Sequence, residues 1–127
     1  RMVVDIDETD LIGEYASVGH HMARWGERYA VAQEQFLRAK LGRERAESRL
    51  RLGLREDWDA DPKNKKCTEG QLDALVKAHD HYAAVKVTEI EAEAKALSVR
   101  SVLHAIKAKA DMLISLGAAQ RAEMRAS

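Results

Sequence analysis

From Val18 onward, apolar side chains return as Val18, Met22, Trp25, Tyr29, Ala32, Phe36 and Ala39, in steps that alternate four and three. That spacing holds one stripe of a helix against a partner helix, and a strand, with its period of two, cannot produce it. Leu37, Leu41 and Leu50 widen or redirect the stripe. No proline interrupts Leu11 to Asp61; the single proline of the chain is Pro62. At the helical rise this stretch makes a rod of roughly 60 Å. Gly42 and Gly53 weaken it, and Gly53 is the expected point of fraying. Upstream, Asp5, Asp7, Glu8 and Asp10 make the start acidic, and Thr9 or Asp10 is placed to cap a helix that begins at Leu11. Arg1 reads as a residue added ahead of a natural start at Met2.

The segment Glu56 to Lys66 (EDWDADPKNKK) carries turn chemistry and ends the rod. Thr68-Glu69-Gly70-Gln71 then has the spacing of a capping box, which starts a second helix with Leu72, Leu75, Val76 and His79 on one face. Around His79-Asp80-His81 the pattern loosens into a turn. A third run carries Val87, Ile90, Ala94 and Leu97. After a slip in register it continues through Val99, Leu103, Ile106, Ala110 and Leu113, and Gly117 follows it. No fixed-period repeat is present. The expectation is an all-α fold in a single domain, 1–127: a long coiled-coil-like helical hairpin with short additional helices. Its elements are a first long helix over 11–55, a loop over 56–67, a short helix over 68–79, a second long helix over 83–116 and a C-terminal helix over 118–125. Antiparallel pairing of Val18–Ala39 with Val87–Leu113 buries both stripes.

Apolar residues are 46% of the chain, but aromatics only 5%, which is thin material for a monomeric core. Charged residues at 33% fit long exposed helices. The pairing leaves Val102, Leu103, Ile106, Met112, Leu113, Ile114 and Leu116 over, and such a surplus marks a homo-oligomer interface. The interface is expected at Val102, Leu103, Ile106, Leu113, Ile114 and Leu116. The one cysteine, Cys67, fits a reducing compartment, and with no signal-peptide pattern or membrane-length apolar run the expected location is the cytoplasm, without membrane partners.

Formal net charge is +0, yet Arg38 to Arg55 (RAKLGRERAESRLRLGLR) holds seven basic residues against two acidic ones. A cationic helix end on a neutral protein points to an anionic partner, most commonly nucleic acid. Arg43, Arg45, Arg49, Arg51 and Arg55 are the candidate contacts, with Lys63, Lys65 and Lys66 extending them. The competing explanation is a solvated face paired with glutamates of a neighbouring helix, favoured for a monomer. In a ring of subunits the segment repeats into a track for a phosphate backbone. Trp58, among Asp57, Asp59 and Asp61, either docks on the fold or stacks on a base; its acidic neighbours favour docking.

Enzymatic signals are weak, and the expectation is a non-enzyme without cofactor. There is no phosphate-cradling glycine loop, no His-Glu-x-x-His and no paired-cysteine metal spacing. Cys67 lies near Lys65 and Lys66, but an incidental loop cysteine explains it. His20, His21, His79, His81 and His104 read as ordinary packing or solvated residues. His79 and His81 are the best metal candidates, and chelation by them requires an extended or turn conformation. Glu89, Glu91 and Glu93 beside Lys86 and Lys95 read as a solvated, ion-paired face.

Met22 and Trp25 early in the first helix, its basic end, the polar loop and the final HAIKAKADMLISLGAAQRAEM together resemble the UvsY-type recombination mediators of tailed bacteriophages. Ala105-Ile106-Lys107, Gly117 and Met124 follow that C-terminal pattern in order. Arg49-Leu50-Arg51 best matches the family's basic pair, with Arg43-Glu44-Arg45 second; arginine stands here for a lysine, and the loop differs in composition. The resemblance implies a homo-oligomer that binds single-stranded DNA. It also implies a role in loading a RecA-like recombinase in place of single-strand-binding protein, in the host cytoplasm. The alternative is a structural or scaffolding coiled-coil oligomer with no DNA role. A metal-dependent enzyme using His79 and His81 comes third.

Overall fold

A computed structural model describes residues 5–126, so the expected natural start at Met2 lies outside the described residues. The chain is all-α: α1 spans Leu11–Asp59, α2 Glu69–Ala78 and α3 Asp80–Ala126, and α1 packs against α3 as a hairpin. Contacts divide the chain into two compact units. One joins the residues up to Ala32 with those from Ala96 on; the other is Gln33–Lys95.

In the first unit, Asp10 caps α1. Its Oδ1 accepts the Gly13 backbone N–H at 3.0 Å, and its carbonyl accepts from Glu14 at 3.0 Å. Val18, Ile106 and Leu113 form the buried core, with Leu11, Met22, Trp25, Val102 and Ala110 packed on it. Ile106 and Leu113 are 0% exposed. The surplus of apolar residues expected at an oligomer interface therefore shrinks: these two are consumed inside the chain, because they continue the α3 seam that faces Val18. Met112 and Ile114 remain outside at 58% and 59% exposure. A buried ion pair sits beside this core, with Lys109 Nζ 2.7 Å from Glu14 Oε2.

Gly117 does not separate two helices; α3 runs through it to Ala126. The glycine serves close approach instead. The Tyr15 hydroxyl donates to the Leu113 carbonyl at 2.8 Å, and a Cβ at Gly117 would lie 2.9 Å from the hydroxyl oxygen of Tyr15. Gly53 likewise leaves α1 intact as far as Asp59.

In the second unit the helix seam changes chemistry. Arg43 and Ala46 face α3 from α1, while Glu89 is buried on α3. Counting back from Ile106 in alternating steps gives Leu103, Val99, Ala96, Ala92, Glu89, Val85 and Tyr82, so one heptad phase holds throughout α3. The expected stripe of Val87, Ile90 and Leu97 is the one that faces outward, with exposures of 52%, 54% and 51%. No register slip is needed. The larger side chains lose the inward phase because Glu89 and Arg43 require each other, and alanines at 92 and 96 let the helices lie close.

The link between α1 and α2 is held by Trp58. Its indole N–H donates to the Lys65 carbonyl at 2.6 Å, and Asn64 Nδ2 donates to the Trp58 carbonyl at 3.0 Å. Cys67 is buried and behaves as a small apolar residue. The capping box forms as its spacing predicts: the Gln71 N–H donates to Thr68 Oγ1 at 3.1 Å, and the Thr68 N–H donates to Gln71 Oε1 at 3.0 Å. Leu72 and Val76, four apart, bury the inner face of α2. The expected turn at residues 79–81 contracts to His79 alone. It is the extended cap that closes α2, and its Nδ1 accepts the His81 backbone N–H at 3.1 Å at the start of α3.

Candidate functional site

Helical geometry sorts the arginines. A helix advances about 100° per residue, so residues two apart point about 200° from each other, while residues four apart share a face. Arg49 and Arg51 therefore leave α1 on opposite sides, as do Arg43 and Arg45. Neither consecutive pair acts as one patch. The structure divides the cluster into three groups.

Arg43 belongs to the seam. Its Nε donates to Glu89 Oε2 at 2.6 Å and its Nη1 to Glu47 Oε2 at 3.0 Å, and Lys86 Nζ stands 3.4 Å from Glu89 Oε1. The Arg43 guanidinium, with Lys86 behind it, holds the Glu89 carboxyl below the usual carboxylate range, and Glu89 in turn raises Arg43. Arg43 thus takes part in pairing α1 with α3.

Arg51 and Arg55 face α2. Arg51 reaches both Asp73 and Glu69, and Arg55 Nη2 lies 2.5 Å from Glu69 Oε1. Hydrogen bonding to Asp73 first, and then the charge of Asp73 and Glu69, raises the Arg51 guanidinium further. The carboxylates are exposed, at 70% for the Glu69 side chain and 52% for Asp73. The neighbouring-helix explanation therefore holds for Arg51 and Arg55, inside one chain.

Arg45 and Arg49 form no ion pair among the described residues. They lie one turn apart on the edge of α1, on an open groove of about 580 Å³. Gly42, Ala46, Leu50, Gly53 and Leu54 line it from α1 beside the two arginines, with Asp57 at one end; His79, the cap of α2, and His81 and Val85 of α3 line it from the other side. Nothing lies within 4 Å of the Cβ that an alanine would add at Gly42 or Gly53, so the groove is open there. Two guanidiniums and two imidazoles thus border a groove that also carries apolar side chains and one carboxylate. The sequence does not show the composition of this groove, because His79 comes from the cap of α2 and His81 from α3. Their odd spacing around a cap was the available signal.

Lys63, Lys65 and Lys66 are exposed on the link after α1. Lys66 lies near Arg55 and Glu69 at a second depression, and the Lys65 carbonyl is tied to Trp58. Trp58 is docked through its indole N–H and partly buried. Among the described residues no group of three or more His, Cys, Asp or Glu comes together as metal ligands. No described helix is long and apolar enough to cross a membrane. Compared with protein-family models, with curated proteins and with solved structures, the chain matches none.

Proposed function

We propose that this chain binds single-stranded DNA along the groove of Arg45 and Arg49 and serves as a recombination mediator. The observation that carries the binding is that Arg45 and Arg49, which form no ion pair among the described residues, line an open groove bordered by His79 and His81. The groove has no deep enclosed pocket for a small substrate, and its cations lie along a helix, as a phosphate backbone requires. The mediator role rests on the resemblance to the UvsY-type proteins. It entails homo-oligomerisation, a RecA-like recombinase and single-strand-binding protein as partners. Repetition of the groove around an oligomer would multiply weak strand contacts.

The test is anisotropy of a labelled oligothymidylate at two salt concentrations. Binding should weaken steeply with salt, and R45Q/R49Q should weaken it about tenfold with the oligomer intact, as expected for loss of two phosphate contacts. Absence of binding at low salt rejects the proposal.

The second reading is a scaffolding coiled-coil oligomer without a DNA role. It is favoured by the outward phase of Val87, Ile90 and Leu97 on α3, each more than half exposed. A stripe in alternating three and four steps is what a further helix would pack against.

A further inference from the structure

The acidic side of α2 lies over two of the arginines that the sequence marks for a strand. Arg51 is forked between two carboxylates, Glu69 and Asp73, and Arg55 shares Glu69. The carboxylates stand four residues apart on one face of α2, as the arginines do on α1, so the two pairs meet rung by rung. Glu69 and Asp73 themselves lie mostly in water, while the Arg51 side chain is 28% exposed. Exposed ion pairs of this kind are weak and screened by salt. They are not what holds α2 in place, since Leu72 and Val76 are each 1% exposed and the capping box fixes its start. The ion pairs therefore satisfy the arginines without being needed for the fold. A row of carboxylates against a row of guanidiniums is also the arrangement a phosphodiester backbone would adopt there. The depression between them, lined by Ser48, Arg51, Leu52, Arg55, Glu69 and Leu72, is open to solvent.

We propose that Arg51 and Arg55 form a second site for a phosphodiester strand, masked by Glu69 and Asp73, which occupy the positions of its phosphates. The inference rests on the strand-binding reading of the Arg45 and Arg49 groove, and deepens it. α2 sets how much of the basic helix end a strand can use. In the masked chain the strand engages chiefly Arg45 and Arg49. Where the carboxylates are displaced, the opposite side of α1 adds two more phosphate contacts.

The experiment compares the unaltered chain with E69Q/D73N, both near-isosteric changes at exposed positions, by anisotropy of labelled oligothymidylate across a salt series. Unmasking should tighten binding several-fold at low salt. It should also steepen the dependence of log affinity on log salt by ~1.4, the value for two added contacts on a single strand. Adding R51Q/R55Q to that variant should return both quantities to those of the unaltered protein. E91Q/E93Q, which removes two exposed carboxylates of α3 instead, should leave the slope unchanged. Helical content by circular dichroism checks that α2 survives. If it does not, E69Q alone and D73N alone are measured in the same way, and each should show part of the gain.

An unaltered protein that binds, beside an E69Q/D73N variant of the same affinity and slope, overturns the mask and leaves the groove standing. A gain equalled by E91Q/E93Q overturns it as well, because net charge then explains the effect. Binding by neither protein overturns both proposals. Binding only by E69Q/D73N supports the mask and rejects the groove as sufficient.

Discussion

The ion pair of Glu14 with Lys109 shows how much a single residue decides. Both side chains are nearly inaccessible, at 4% and 1% exposure, and the Glu14 carboxylate also accepts the Asp7 backbone N–H at 3.2 Å. Removing one partner takes away the nearest opposite charge of a buried group. E14Q should therefore cost about 3 kcal/mol in urea unfolding, whereas E14L/K109M, which removes both charges together, should recover most of that loss. Glu89 gives a prediction with a definite sign. Its folded carboxyl titrates below its ordinary value of 4.5, chiefly through Arg43. The stabilisation is fully present above that ordinary value and disappears as pH falls through the lowered one. E89Q should flatten that acid-side loss, and it should cost about 2 kcal/mol at neutral pH. An E89Q protein with the unaltered acid profile would contradict the assignment. Gly117 offers a third measurement at this scale. Alanine gains helix propensity of about 1 kcal/mol but meets the Tyr15 hydroxyl. G117A should be near neutral in thermal melts of the unaltered chain and stabilising in a Y15F background.

At the scale of elements, what could be read from sequence followed the strength of local signals. The α1 seam from Val18 to Ala39, the capping box at Thr68 and the break before it all rest on neighbouring residues, and all three are present. Hydrophobicity alone selects the stripe of Val87, Ile90 and Leu97 on α3, and that stripe faces outward. The correct phase contains Glu89 and two alanines, and it becomes visible only once Arg43 is known to lie opposite. Gly117 was misread as a boundary because a glycine that admits a tyrosine from another helix looks, in sequence, like one that ends its own. The arginine cluster was rightly singled out, but consecutive pairs were the wrong unit. Four-residue spacing separates Arg45 and Arg49 from Arg51 and Arg55. The core of the first unit makes the corresponding packing prediction. I106A should cost about 3 kcal/mol or more, since Ile106 is fully buried beside Val18 and Leu113.

For the molecule as a whole, two compact units share α1 and α3, and each has its own means of cohesion. The first has an apolar core with one buried ion pair; the second relies on small residues, ion pairs and a short third helix. The self-association proposed above would draw on the apolar side chains still outside. Met112 and Ile114 belong to the C-terminal patch, and Val87 and Ile90 to the outward stripe of α3. M112E/I114E should lower the oligomer mass in light scattering if the patch assembles the protein. An unchanged mass, with V87E/I90E producing the smaller species, would transfer assembly to the stripe.

The buried Glu14–Lys109 pair also acts as an index mark for alignment. Seams of leucine, valine and alanine repeat every heptad, so sliding one helix by seven residues would still set apolar groups against apolar groups. With that slide, Glu14 would exchange Lys109 for the neighbourhood of Val102 or Leu116, and Lys109 would move towards His21 or Asp7. Each displaced alignment leaves at least one charge without its opposite in a dry interface. The apolar residues supply attraction that tolerates many alignments, and this pair, together with Arg43–Glu89, favours a single alignment.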